Sequence, residues 1–173
     1  TSGRPPALAL PHPQYPKTSA PARRAGQGRA TTPARAAAYD ILLRVERQGS
    51  YASELLHGEP TRRLDSRDIG LCTELVMGCL RWQNLLDFAA DHFLTGKQKQ
   101  LDAEVRVALR LGAYQLLYLT RVPAHAAIAE TVELVKHSPR SFASGLVNAV
   151  LRRISEIGGV DGLPRLRPLA MQI

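Results

Sequence analysis

A chain of 173 residues, 45% of them hydrophobic, is long enough for one real core and suits a single domain. Its net charge is +8, yet residues 1–35 hold six basic residues and no acidic one, while the rest holds 17 basic and 15 acidic residues. A basic arm beside a near-neutral globule points to nucleic acid rather than to small acidic substrates. With no apolar signal segment and no membrane span in the sequence, a cytoplasmic location is expected. Cys72 and Cys79 lie seven apart and offer neither a disulfide framework nor a zinc spacing.

Taken in order, residues 1–32 are rich in Pro, Ala, Arg, Ser and Thr, and are expected to form a disordered basic arm. Such an acid-free leader also suits an organellar transit peptide. Thr32 followed by Pro33 marks a helix start, and Ala34 to Gln48 follows with Ala38, Ile41, Leu42 and Val45 on one face. Gly49 ends it. Tyr51 to Leu56 reads as a short helical turn. Ser66 is expected to cap a long helix from Arg67 to about Phe93, bent near Arg81–Trp82.

Val105 to Leu119 is the most apolar run of the chain, broken only by Arg106, Arg110 and Gln115. A helix apolar almost all round is buried among other helices. Asp102 suits its N-cap and Glu104 its first turn. Pro123 opens a helix that ends near His137, with Ala124, Ala127, Ile128, Thr131, Val132 and Val135 inward. Phe142 to Ile157 is the last helix, with Leu146, Val147, Val150, Leu151 and Ile154 inward. Residues 158–173 read as a linker or a truncated tail. No strand pattern survives, so the fold class is an all-α bundle over residues 33–157.

Four blocks, in order, carry a family resemblance. ARAAAYDILLRV, RDIGLCTELVMGCLRW, LRLGAYQLLYLTRVPAHAAIAETVELVK and GLVNAVLRR resemble the helices of the NusB family. Together they span roughly residues 33–155. RVPAHAA, AETVELVK, LVNAVLRR and the LRW triplet are most similar to the family's methyltransferase branch. That branch carries this domain at the N-terminus of RsmB-type (Sun/Fmu) ribosomal RNA cytosine-5 methyltransferases.

The resemblance implies an RNA-binding helical domain without a catalytic site of its own, with small-subunit ribosomal RNA as partner. It also implies a catalytic domain in cis beyond Ile173, which would hold S-adenosylmethionine. The family's other branch implies the alternative, a stand-alone transcription antitermination factor acting with a ribosomal protein. A third reading is a packing module that only braces a catalytic domain. The residues agree that chemistry lies elsewhere: no Gly-x-Gly follows a strand, and both cysteines fall on a buried helical face.

By position, the resemblance makes Arg23, Arg24, Arg29 and Arg35 the candidates for RNA contact. Arginine neutralises phosphate, and its planar fork stacks on unpaired bases. Arg152 and Arg153 close the last helix; they complement its C-terminus first and contact RNA second. Arg110 interrupts the buried helix and needs a partner, for which Glu130 on the next helix is the expected structural ion pair. His125 and His137 are read as structural. Trp82 and Tyr51 are able to stack bases, although core or rim packing is the commoner role.

Overall fold

The computed structural model describes residues 31–96 and 100–165. They form α1 (Pro33–Gln48), α2 (Ala52–Leu56), α3 (Ser66–Arg81), α4 (Gln83–Asp91), α5 (Ala103–Tyr118), α6 (Ala124–Lys136) and α7 (Ser144–Ser155). Three 3₁₀ segments, Glu59–Thr61, Ser141–Ala143 and Val160–Arg165, complete the described residues, which contain no strand. The all-α expectation holds.

The bundle is built around α5, which packs against α1, α3, α4, α6 and α7. Val107, Ala108, Leu109, Leu111 and Ala113 on α5 are buried on every side. Gly112 lets α7 come close, since a Cβ there would lie 2.6 Å from Leu151 Cδ1. Side-chain pairs set the directions of the neighbours. Arg35 reaches Gln115 and Arg47 reaches Glu104, so α1 runs antiparallel to α5. Asp91 pairs with Arg106 and Asp87 with Arg110, so α4 is antiparallel to it as well.

The long helix expected from Arg67 is in fact two helices. The bend near Arg81–Trp82 is a full break, with Trp82 at φ −106° and ψ 17°. Asp65, not Ser66, caps α3: its Oδ1 accepts from the Asp68 N–H at 2.8 Å. Asp102 holds the N-cap position of α5 without a side-chain cap bond; its carboxylate lies 2.9 Å from Arg140 Nε instead. Phe142 begins no buried face and is exposed. The reading of residues 158–173 as a linker is corrected over its first part. Val160–Arg165 is a 3₁₀ helix, and Leu163 is buried in the core cluster. An apolar side chain this deep belongs to the packed domain.

Candidate nucleic-acid interface

The root of the arm is held by a polar cluster. Glu130 Oε2 accepts from both the backbone N–H and the hydroxyl of Thr32, each at 3.0 Å. Thr31 Oγ1 donates to the Glu130 carbonyl at 3.4 Å. Arg35 Nε donates to Gln115 Oε1 at 2.6 Å, its NH1 donates to Thr32 Oγ1 at 2.9 Å, and NH1 lies 3.4 Å from Glu130 Oε2. Gln115 in turn donates to the Leu111 carbonyl at 3.0 Å.

Arg35 is only 6% exposed. A guanidinium enclosed this way spends its donors on protein acceptors, so Arg35 is corrected from an RNA-contact candidate to a structural residue. Arg23, Arg24 and Arg29 lie outside the described residues. Alanines at 34, 37 and 38 leave the N-terminal half of α1 thin enough for the arginine to lie inside.

The expected Arg110–Glu130 pair does not form. Arg110 makes a two-toothed bond to Asp87 on α4, Nε to Oδ1 and NH2 to Oδ2, both 2.8 Å. Its NH1 donates to Glu46 on α1, also at 2.8 Å. Burial works against the charge of Arg110, but Asp87 and Glu46 outweigh it and hold its pKa above the ordinary value. Glu130 belongs instead to Arg35 and Thr32. The error was one of face: Arg110 points towards α1 and α4, away from α6.

Glu104, in the first turn of α5, is buried and paired with Arg47. Burial would raise its pKa; its own backbone N–H and Arg47 prevail and lower it. Tyr39 donates to the Glu104 carbonyl at 3.0 Å, and burial followed by the Glu104 charge pushes its phenol up to about 12. These groups edge a groove of about 670 Å³ with Asp40, Glu133 and His137. Asp40 is paired with Arg44 at 2.9 Å and Glu133 with Lys136 at 3.1 Å. With its charges already matched, the groove offers no positive track for phosphates.

The opposite holds at the end of the bundle where the arm leaves. Gln115, which holds Arg35, lies one helical turn before Tyr118 on α5. Tyr118 stacks on Trp82 with centroids 5.3 Å apart and planes 19° apart. On the same helix face Tyr118 also stacks on Tyr114, at 5.2 Å and 23°. Tyr114 donates to Glu74 on α3. It lies flat on the α3 backbone because residue 78 is glycine: a Cβ there would sit 2.0 Å from Tyr114 Cζ. Trp82 is 41% exposed. Arg81 beside it and Arg121 just past α5 are exposed, and neither forms an ion pair among the described residues. Sequence reasoning named Trp82 but missed Arg81, Tyr114 and Tyr118. Only the helical spacing of the two tyrosines hinted at a shared face.

The α7 arginines are exposed and locally engaged. Arg153 lies over the Phe93 ring, 5.4 Å from its centroid, and 3.8 Å from Glu156. Arg152 donates to Asn148 Oδ1 at 3.4 Å. Both occupy the last turn of α7, where cations suit the helix dipole. His125 is exposed at the start of α6, and His137 Nδ1 lies 2.8 Å from the Glu133 carbonyl. Tyr51 is exposed and makes no ring contact among the described residues.

Both cysteines are buried in the core. Burial, then Asp68, pushes the Cys72 thiol up to about 11, and burial pushes Cys79 up as well. That is the reverse of what a nucleophilic thiolate needs. The described residues do not fit S-adenosylmethionine either. A nucleoside cofactor of that kind sits on a glycine turn between strand and helix, and the positive-φ glycines Gly49, Gly96, Gly158 and Gly159 all lie in helical connections. No helix among the described residues is long and apolar enough to cross a membrane.

The NusB family model matches residues 32–156, most of the chain. The chain belongs to the NusB family. It is 47% identical over 96 residues to ribosomal RNA small subunit methyltransferase B of Pseudomonas putida, covering 56% of this chain and 22% of that protein. It is 37% identical over 123 residues to the Escherichia coli protein of the same name, covering 69% of this chain and 27% of that one. The chain therefore spans about a quarter of the length of these relatives. Among solved structures, antitermination factors NusB and NusE in complex with double-stranded RNA match with TM-score 0.64 and 26% identity, over 72% of this chain and 94% of that chain.

Proposed function

We propose that this chain is the RNA-binding, NusB-like targeting domain of an S-adenosylmethionine-dependent methyltransferase that modifies cytosine C5 in small-subunit ribosomal RNA. The observation that carries the reading is the 47% identity to a small-subunit ribosomal RNA methyltransferase. In this reading the domain does no chemistry. The basic arm tracks phosphates from its fixed root at Thr32, and the adjoining end of the bundle faces the RNA. S-adenosylmethionine supplies the methyl group in a separate domain in cis.

The test is RNA affinity against salt. The 173-residue chain should bind small-subunit ribosomal RNA with an affinity that falls steeply with salt, and deleting residues 1–30 should flatten that slope. Arg35→Met should lower stability and leave the slope unchanged. Absence of salt-sensitive binding would overturn the reading. A second reading, a stand-alone antitermination factor with a ribosomal-protein partner, is favoured by one observation: the chain covers 94% of a solved NusB chain. The intact mass of the native gene product separates the two. A product carrying a further domain supports the enzyme, and one of about 18.9 kDa supports the factor.

A further inference from the structure

We infer that the corner between α3 and α4 is a nucleobase site that stacks one unpaired base of single-stranded RNA on Trp82. The inference rests on the RNA-binding reading above and names the ligand of that surface.

Three observations meet there. Tyr114, Tyr118 and Trp82 form a ladder of nearly parallel rings with steps of 5.2 and 5.3 Å, and Trp82 ends it partly in solvent. A ladder closed at one end by the α3 backbone can be extended only at the other, and a planar base is the natural next ring. Next to it lies an open pocket of about 400 Å³ lined by Leu80, Arg81, Trp82, Gln83, Asn84 and Leu85.

Arg81, Gln83 and Asn84 supply a cation and two amides, and none of these three side chains is engaged in the ion pairs or ring contacts of the described residues. Amides pair with base edges, and a guanidinium serves phosphate or the base face. An apolar protein partner would prefer dry surroundings; here Arg81, Gln83 and Asn84 share the lining with Leu80, Trp82 and Leu85. Finally, the helix break creates the site. The Trp82 N–H still donates to the Gly78 carbonyl at 3.1 Å, so the indole follows Gly78 by one turn and meets Tyr118, and the end of α3 at this point leaves the ring 41% exposed.

Trp82 is the only tryptophan in the chain, so its emission reports on this site alone. The 173-residue chain is titrated with a short single-stranded RNA of mixed sequence, read by anisotropy of a labelled end and by tryptophan emission. A matched RNA with abasic positions is run in parallel. Emission should fall as the intact RNA binds and should stay level as the abasic RNA binds. Trp82→Ala should weaken binding of the intact RNA by roughly 5- to 100-fold, with Trp82→Phe restoring most of it. Asn84→Ala, at an exposed position, should weaken binding of the intact RNA and spare the abasic one.

If anisotropy reports binding while Trp82 emission does not move, or the abasic RNA quenches equally, the inference is overturned and the RNA reading stands. The corner would then be a face for a protein. If no RNA binds by either readout at low salt, the RNA reading falls and takes the inference with it.

Discussion

The two ends of α5 lie among arginines in opposite states. Along its first three turns Arg106 and Arg110 are sunk between helices and matched to Asp91, Asp87 and Glu46. At its last turn Arg81 and Trp82 stand open beside Tyr118. The lesson is that an arginine count says little about nucleic acid. What matters is whether a carboxylate already occupies the guanidinium. Arg35 belongs with the first group, although it lies near the second in space.

This contrast can be broken at its matched end. Arg110→Met strands Asp87 and Glu46, and should cost about 3 kcal/mol, the low side for a broken buried pair because both carboxylates keep some water. Urea unfolding measures it. At the open end, Gly78→Ala forces the Tyr114 ring off the α3 backbone. The expected loss is about 2 kcal/mol, together with a change in Trp82 emission as the ladder is disturbed.

Alkaline pH acts at both ends, since burial followed by Glu74 raises the Tyr114 phenol and burial raises Tyr118. The Tyr39 phenol has a folded pKa of about 12 against an unfolded value of 10.0. Its contribution is present in full below pH 10 and is lost as pH rises towards 12, because the unfolded chain releases the proton first. The slope should approach about 1.4 kcal/mol per pH unit per such group. Cys72, raised from 9.0 to about 11, adds to the loss from somewhat lower pH. Unfolding midpoints at stepped alkaline pH would show the decline, and Tyr39→Phe should shrink it. The smallest effect belongs to the exposed Arg153–Glu156 pair. Arg153→Ala should shift stability by less than about 1 kcal/mol and leave RNA affinity near wild type.

Much of the fold was legible in the residues. Apolar spacing placed α1, α5, α6 and α7, and the absence of a polar stripe on Val105 to Leu119 marked it as the centre. The break at Trp82 showed as a helix too long for its pattern. Partners were not legible. Which carboxylate meets Arg110 depends on the rotation of α5 by a fraction of a turn, and a helix apolar all round gives no stripe from which to fix that rotation. Arg35 looked like a continuation of the arm because charge alone was visible; its burial follows from the alanines around it and from Gln115, 80 residues away. The ladder joins Trp82 to Tyr118 across two helices, and no local spacing encodes such a meeting. Leu163 was lost among Gly and Pro residues that suggest a linker, yet it packs.

The central place of α5 also has a consequence during synthesis. The inner face of α1, with Ile41 and Leu42, is made early, but the helix that covers much of it emerges far later. Gln115 follows Arg35 by 80 residues. At about 5–20 residues per second, that interval on the ribosome lasts on the order of 4 to 16 s. Until α5 emerges, α1 leans on α2, the Glu59–Thr61 segment and α3, and Arg35 still waits for Gln115 and Glu130. The nascent chain therefore carries the inner face of α1 without its α5 cover for seconds and condenses late.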